Sequence, residues 1–445
     1  MVNGINEKLL QKLQNAYSAD AVNTVRGNAA RKLGINEAAE SRDEMNLNPH
    51  TFSIEIKNGE ITHQKQSGRC WMFAGLNVLR FQAMKKLNMT TFELSQNYLT
   101  FWDKLEKANY FLEAILKTLD EPVGSRLLNH LLFSPVQDGG QWDMFSALVE
   151  KYGVIPKVVM PETFHSSETM GLNRILTKKL HEFAYELRTA AASGMSADAL
   201  QAKKEEQLVD IYRVLGITLG EPPKVFMFEC RDKDNNFIRE ENVTPMGFYK
   251  KYVGDILDEY VSVINAPTAD KPYLRTFTVE HLGNVVEGRS VKYINLPSEE
   301  LRRLTIAQLS DDEPVWFGCD VGQGSVRKSG LMSMEALDYE ALLGVNFTLD
   351  KGQRLDYADS MMTHAMVFLG VNLVDGKPNR WKVENSWGDE PGQKGYFVMA
   401  DSWFDEYNYQ VVINKKYLSD EQKKAWEQEP IVLLPWDPMG SLAMN

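Results

Sequence analysis

A chain-breaking dipeptide followed at once by an apolar helix is the strongest structural signal in this sequence. Ser67-Gly68 favours a break in regular structure. Residues 71–83 then repeat apolar side chains at three- and four-residue spacing and carry further apolar side chains on the other faces. This pattern predicts a largely buried helix that begins close to Cys70. A thiol at a helix N-terminus lies near unpaired N–H groups and the positive end of the helix dipole, which favour the thiolate.

The predicted surroundings of Cys70 therefore suit a nucleophile. Acyl transfer also requires a hydrogen-bond donor for the oxyanion, and Gln64 can supply it. Gln64 lies six residues upstream, and its side-chain amide can donate a hydrogen bond to a tetrahedral oxyanion. An ordinary buried thiol is the competing interpretation, because free cysteine is among the most buried residue types. The segment alone leaves both interpretations open.

A cysteine nucleophile also requires a histidine base, which has to come from elsewhere in the chain. The chain has seven histidines. His364 differs from the others because it immediately precedes the apolar run 365–370, which predicts a buried strand with the imidazole at its mouth. His63 adjoins Gln64 and can line the same site, but packing or exposure to solvent is the simpler interpretation of this residue.

A third component follows His364 in the sequence. Asn385-Ser-Trp387-Gly ends the strand-like run 381–384, and a turn-rich stretch leads on to the run 396–399. Two strands joined in this way place the end of one beside the start of its neighbour, so Asn385 can hydrogen-bond the imidazole and fix its orientation. Trp387 can then shield that bond from water. Taken alone, the same tetrapeptide is better interpreted as a plain turn.

Together these blocks resemble the papain-like cysteine peptidases. The stretch SGRCWMFA around the cysteine, DGGQW at 138–142 and WDPMGSLA at 436–443 are similar to the branch that contains bleomycin hydrolase and bacterial aminopeptidase C. The similarity runs from near residue 1 to the end of the chain. It implies that Cys70 is the nucleophile and His364 the general base and acid. It further implies that Asn385 orients the imidazole.

The resemblance also implies residues that bind substrate or support the site. Gln64 corresponds to the oxyanion donor, and Trp71 and Trp387 to supporting residues. Gly139-Gly140 corresponds to a glycine pair where the absence of side chains lets substrate backbone lie against enzyme backbone. Taken by itself, the glycine pair also fits a simple loop.

In the resembling family the C-terminal segment lies in the cleft, where its carboxylate meets the substrate's α-ammonium. Burying that ammonium without a partner is costly, so a carboxylate there selects free N-termini. In this chain Asn445 carries that carboxylate and is the expected substrate contact. Met444-Asn445 follow the Leu-Ala at which many relatives end. Aminopeptidase action is therefore the expectation, and an endopeptidase with an altered tail is the alternative.

The expected fold class is α+β, with a papain-like catalytic unit in two parts, a helical half and an antiparallel β half. Cys70 and His364 lie much farther apart than in compact papain-like enzymes, and residues 172–215 are strongly helical, which predicts a large, mostly helical insertion domain. The predicted units are an N-terminal arm and helix packing on the catalytic unit (1–63), the catalytic helical half (64–165), the insertion or hook domain (166–310), the catalytic β half (311–435) and a tail in the active-site cleft (436–445).

Composition limits the class of protein. Apolar residues make up 43% of the 445 residues, which is ample for a packed core, and no apolar run reaches the length of a membrane span. The net charge of −12 does not favour nucleic-acid binding, because such binding depends on Lys and Arg neutralising phosphates. Three widely spaced cysteines, Cys70, Cys230 and Cys319, indicate neither a disulfide framework nor a zinc site. No metal or other cofactor is expected.

Two features predict a cytoplasmic protein. The first residues lack the apolar stretch of a secretory signal. Secreted papain-like enzymes carry a disulfide between a cysteine three residues before the nucleophile and one just before their Asn-Gly-Gly, whereas this chain has Ser67 and Gln137 there. The resemblance implies peptides with a free N-terminus as substrates and a homohexamer as the assembly.

Two further functions compete with peptide hydrolysis. Acyl transfer of the transglutaminase kind also uses Cys and His, but its third residue is typically Asp, where this chain has Asn385. A non-catalytic assembly protein on an inactive peptidase scaffold is disfavoured because Gln64, Cys70, His364 and Asn385 are all present.

Overall fold

A computed structural model describes residues 4–442. Its α-helices are α1 (Glu7–Ala19), α2 (Val22–Leu33), α3 (Ile35–Ala39), α4 (Arg42–Leu47), α5 (Cys70–Leu87), α6 (Gln96–Lys117), α7 (Arg126–Phe133), α8 (Trp142–Tyr152), α9 (Phe164–Ser167), α10 (Met170–Ala192), α11 (Ala197–Leu219), α12 (Pro245–Phe248), α13 (Ser298–Ser310), α14 (Tyr339–Leu343), α15 (Lys351–Asp356), α16 (Asp401–Tyr407) and α17 (Asp420–Trp426). A π-helical turn (Tyr249–Val253) and short 3₁₀ turns (Leu257–Glu259, Lys415–Tyr417, Pro438–Gly440) connect some of these.

The strands are β1 (Ile54–Glu55), β2 (Phe226–Arg231), β3 (Phe237–Val243), β4 (Tyr260–Ile264), β5 (Arg275–Val279), β6 (Tyr293–Asn295), β7 (Val315–Cys319), β8 (Ser325–Val326), β9 (Leu331–Met332), β10 (His364–Val374), β11 (Lys377–Glu384), β12 (Tyr396–Ala400), β13 (Asn408–Asn414) and β14 (Ile431–Leu433). Within the described residues, β2 and β3 pair as a hairpin and the other strands join one sheet. The sheet order is β14-β5-β6-β4-β13-β7-β10-β11-β12-β9-β8, with β1 on β10.

The helical part of the catalytic unit is built on α5. This helix begins at Cys70, as the chain break predicted, and ends where Asn88 takes a left-handed conformation with φ 53°. Nearly all its side chains are buried, because it packs against α6, α8 and the central strand β10. The indole Nε1 of Trp316 on β7 donates to the Trp71 carbonyl at 3.1 Å. Helix α5 and the sheet are therefore fixed to each other next to Cys70.

The centre of the sheet is antiparallel, as predicted: β10 pairs with β7 and β11, β11 with β12, and β13 with β7. The pairs β12–β9, β4–β6 and β14–β5 are parallel, which the prediction of an antiparallel half did not include. A sequence pattern shows that a strand is buried but not in which direction its partner runs.

The predicted insertion range, 166–310, has two structural parts. Helices α10 and α11 pack on each other and on α6, and the β2–β3 hairpin follows them. Strands β4, β5 and β6 instead extend the catalytic sheet, because β4 pairs with β13 from Gln410↔Ile264 to Asn414↔Tyr260. The sequence prediction did not anticipate this continuity, since every residue of β4 is buried and the sequence of a fully buried strand does not indicate which strand it pairs with.

The N-terminal arm changes character along its length. Helix α1 has no buried residue, although its apolar positions Leu9, Leu10 and Leu13 share a side. Further on, the backbone of Ser41 donates to Ala336 at 3.0 Å, and β1 pairs with β10. The second part of the arm therefore lies on the catalytic sheet. Between residues 4 and 442, no helix is both long enough and apolar enough to cross a membrane.

Candidate active site

The residues that precede α5 form a tightly bonded loop. Arg69 is buried and pairs with Glu162 at 2.7 Å, and its Nε donates to the Ser67 hydroxyl at 2.9 Å. Its guanidinium also stacks on the ring of Phe73, 5.1 Å from the centroid. Cys70 is the first residue of the helix and has 0% of its surface exposed. The loop thus fixes the thiol at the helix N-terminus.

Gln64 connects this loop to the segment that carries Asn385. Its Nε2 donates to the Ser67 carbonyl at 2.6 Å, and its Oε1 accepts from the Ser386 hydroxyl at 2.6 Å. Its backbone N–H also donates to the Ser386 carbonyl at 2.8 Å. Because the hydroxyl occupies the amide oxygen, the amide NH₂ is directed toward the loop before Cys70.

The imidazole of His364 lies at the start of β10, beside the end of β11. Its Nε2 is 2.9 Å from Oδ1 of Asn385, and the ring of Trp387 covers the pair with its centroid 4.8 Å from that of the imidazole. His364 and Asn385 are both buried. The antiparallel ladder creates this meeting, because Val367 on β10 stands opposite Glu384, the residue before Asn385.

Cys319 lies on the strand that pairs with the start of β10. It stands opposite His364 in the β7–β10 ladder. Burial first, and then Asp320 and Cys70, raise the pKa of Cys319 well above its usual value. On the same strand, β7, the Nε1 of Trp316 donates to the carbonyl of Trp71, the residue after Cys70, at 3.1 Å. The structure therefore brings the start of α5 to the start of β10.

The glycine pair lies against the indole of Trp71. A Cβ on Gly140 would stand 2.5 Å from ring carbons of Trp71, and the Trp71 Nε1 donates to the Asp138 carbonyl at 2.6 Å. The carbonyl of Gly139 accepts from the Lys107 ammonium at 2.7 Å. The backbone of the pair is therefore held beside α5 with no side chain of its own to fill the space.

Comparison with known proteins decides the family. The peptidase C1-like family matches residues 4–440 of the chain. The chain belongs to the peptidase C1-like family. It is 52% identical to aminopeptidase C of Streptococcus thermophilus over 434 residues, covering 97% of this chain and 98% of the relative. It is 40% identical to human (Homo sapiens) bleomycin hydrolase over 450 residues, covering 99% of each.

A solved structure supports the same assignment. The crystal structure of PepW from Lactobacillus rhamnosis HN001 superposes with a TM-score of 0.98 at 50% sequence identity, and the match covers 100% of both chains. As a member of the peptidase C1-like family with relatives of this identity, the protein is a cysteine peptidase.

The C-terminal segment of this C1-like peptidase reaches the catalytic unit. The carbonyl of Ser441 accepts from Nε2 of Gln141 at 2.6 Å, and Asp437 pairs with Lys271 at 2.9 Å. Residues 435–438 and 440–442 line a cavity of about 600 Å³ together with Gln137 and Thr363, the residue before His364. Asn445, the expected substrate contact, lies outside the described residues.

Asp138 is the residue of this C1-like peptidase that sequence reasoning missed. Its carboxylate accepts from the Gly68 N–H at 2.8 Å, from Lys104 at 2.6 Å and from Asn173 at 2.8 Å, and from the Thr169 hydroxyl. Burial acts to raise the pKa of Asp138, but Lys104 and these donors outweigh it and hold the pKa far below its usual value. Its position directly before the glycine pair was the available signal.

His63, which the sequence placed beside Gln64, packs closely against its neighbours. The N–H of Lys65 donates to Nδ1 of His63 at 2.9 Å, and the imidazole packs so closely on Gly388 that a Cβ there would stand 2.6 Å from it. Burial first, and nearby Lys65 second, lower the pKa of His63. Cys70, Cys230 and Cys319 are all free of disulfides.

Proposed function

We propose that this cysteine peptidase is an aminopeptidase that releases N-terminal residues from short peptides through a thioester intermediate. The buried His364–Asn385 hydrogen bond of 2.9 Å is the observation that carries the proposal. It fixes an imidazole at the mouth of β10, where β7 brings the start of α5 close. A histidine on the surface, or an Asn385 that only formed a turn, would not give this buried hydrogen bond.

Each catalytic residue has a chemical role in the proposal. Asn385 engages Nε2 of His364, which assigns proton exchange with the thiol to Nδ1. The Cys70 thiolate, favoured by the helix N-terminus, attacks the scissile carbonyl. Nε2 of Gln64 and the Cys70 N–H then stabilise the oxyanion. His364 protonates the leaving amine, and water hydrolyses the thioester.

Two observations support cleavage at the N-terminus of the substrate. First, a relative that is 52% identical to this chain is named aminopeptidase C. In addition, Trp436, Ser441 and Leu442 line the same cavity as Thr363, the residue before His364, which supports a role for the tail in limiting substrates to their N-termini. We propose that the carboxylate of Asn445 binds the substrate's α-ammonium, and that Gly139 and Gly140 bind the substrate backbone.

The assembly and the compartment are part of the same proposal. Exposed apolar side chains on the inserted helices, such as Met170 and Ile217, support a homohexamer assembled through this part of the chain. The three cysteines form no disulfide, which supports a cytoplasmic location, since disulfides form mainly in oxidising compartments.

One peptide, offered with a free and with an acetylated N-terminus, tests the activity. We expect stepwise loss of N-terminal residues from the free peptide, no cleavage of the acetylated peptide, and no turnover of either by Cys70→Ala. Internal cleavage of the acetylated peptide would indicate an endopeptidase. Full activity of Cys70→Ala would refute the proposed nucleophile.

A further inference from the structure

A second cavity lies beside the catalytic residues and shares no lining residue with the cavity that contains the tail. It has a volume of about 750 Å³, and Gln64, Gly68 and Trp387 line it. In the proposed mechanism Gln64 stabilises the oxyanion, and the ring of Trp387 covers the His364 imidazole. The part of a substrate that lies beyond the scissile bond, on the side away from the tail, can enter this cavity.

The side chains that line this cavity carry charge of the opposite sign to the net charge of the chain. The charged residues that line it are Lys65, Arg327 and Asp138. The Asp138 carboxylate is already bound by the buried Lys104 at 2.6 Å. Lys65 and Arg327 are exposed, and no carboxylate in residues 4–442 pairs with either of them. The cavity is therefore positive although the chain has a net charge of −12.

Arg327 is held close to the reacting groups. Its guanidinium carbon lies 4.4 Å from the centroid of the Trp387 ring, and that ring covers the His364 imidazole with centroids 4.8 Å apart. A cation over an indole face is stabilised by the ring quadrupole. The guanidinium therefore stands one aromatic ring away from the imidazole that protonates the leaving amine.

This separation fits a short leaving group. An extended residue spans about 3.3 to 3.6 Å, so the α-carboxylate of a leaving group of one or two residues reaches the guanidinium. Burial lowers the pKa of His63, and Glu390 and Asp389 act against this effect, but these two carboxylates do not line the cavity. A carboxylate that enters meets the two cations.

We propose that Arg327 and Lys65 form a subsite for the free α-carboxylate of the leaving group, so that dipeptides and tripeptides are the preferred substrate class. The guanidinium offers a planar fork of donors that matches a carboxylate, and Lys65 adds a second positive charge. The proposal rests on the proposed peptidase function and specifies its substrates. It assigns both residues to binding, not to the chemical step.

Matched substrate pairs test the subsite. Leu-Gly and Leu-Gly-Gly would each be compared with their C-terminal amides, and Leu-p-nitroanilide would report N-terminal hydrolysis without any carboxylate. We expect kcat/KM for the acids to exceed that for the amides by about tenfold, as charge-assisted hydrogen bonds of partly exposed groups allow. The difference should lie mainly in KM and should shrink in 0.5 M salt.

Two substitutions with the same charge change separate the subsite from a general electrostatic effect. Arg327→Gln should bring the acid-to-amide ratio close to one and leave Leu-p-nitroanilide hydrolysis within about twofold of the parent enzyme, since only a carboxylate uses the subsite. Lys328→Gln, next in the chain but outside the cavity lining, should keep the ratio.

The outcomes distinguish the two proposals. An acid-to-amide ratio near one in the parent enzyme, or a ratio unchanged by Arg327→Gln, would overturn the subsite while activity on the p-nitroanilide upholds the aminopeptidase. An equal fall of the ratio in Lys328→Gln would also overturn it. No turnover of any of these substrates would overturn both proposals.

Discussion

Arg80 on α5, the helix that begins at Cys70, forms a buried ion pair with Glu384, the residue before Asn385. Their atoms are 2.5 Å apart, and 2% and 0% of the two side chains are exposed. Asn77 donates to the same carboxylate at 2.9 Å and Asn58 at 2.8 Å. The pair thus connects the helix that begins at Cys70 to the strand that ends beside His364. Burial raises the pKa of Glu384, although Arg80 acts against this effect.

Breaking this pair should destabilise the protein strongly. We expect Glu384→Ala to lower the free energy of unfolding by about 3 to 5 kcal/mol, because it leaves the Arg80 guanidinium buried without its partner. Urea unfolding measures the loss. Asp312→Asn, which removes the exposed Lys85–Asp312 pair at the other end of α5, should change stability by less than about 1 kcal/mol. Equal effects of the two substitutions would contradict the prediction.

Asp138 should stabilise the site in a pH-dependent way. Asp138→Asn leaves the buried Lys104 unpaired, and we expect a loss of about 3 to 5 kcal/mol at pH 7. The pKa of Asp138 is lowered in the folded state, so its contribution is complete above the unfolded value near about 3.9 and declines as pH falls below it.

The pH dependence can be measured by urea unfolding of both proteins between pH 7 and pH 3. The free energy of unfolding of the parent protein should exceed that of Asp138→Asn by a constant amount down to about pH 5. At pH 3 this difference should be smaller by about 1 kcal/mol. Asp210→Asn, which removes the exposed pair with Arg213, is the control and should show little difference at any pH. An advantage that stays constant down to pH 3 would show that Asp138 is not the titrating group.

Gly140 should not tolerate a methyl group. The added Cβ of Gly140→Ala would stand 2.5 Å from ring carbons of the buried Trp71, so we expect a loss of about 1 to 3 kcal/mol from overpacking and at least a tenfold fall in kcat/KM. Gly171→Ala in α10, where a Cβ meets nothing within 4 Å, should instead be neutral or stabilising by up to about 1 kcal/mol. Thermal unfolding and peptide hydrolysis distinguish them, and identical behaviour would refute the steric argument.

The tail should control where substrates are cut. Deletion of residues 440–445 removes the Ser441 carbonyl that Gln141 binds at 2.6 Å, and we expect the products to shift from N-terminal residues toward internal fragments. Gln141→Leu keeps the tail but loses this hydrogen bond, so its shift should be smaller. Mass spectrometry of a peptide digest gives the ratio. A ratio that neither change alters would show that the tail does not select the N-terminus.

Local sequence patterns predicted the elements that carry the catalytic residues. The Ser67-Gly68 break and the apolar repeat after it gave a buried helix starting at Cys70, and the run after His364 gave β10. These features depend on contacts between residues close in the chain, so periodicity and chain breaks reveal them.

Some relationships arise only when distant segments meet. The continuation of the catalytic sheet through β4–β6, the Arg80–Glu384 pair and the donors around Asp138 all join residues far apart in sequence. Nothing in a local pattern names the partner of a buried charge, because the cost of burial requires a partner but does not specify which one. The sequence by itself determined the candidate catalytic residue types and the elements that carry them. Only the tertiary structure decided which buried charges join these elements, and that Lys65 and Arg327 line a cavity with Gln64 and Trp387.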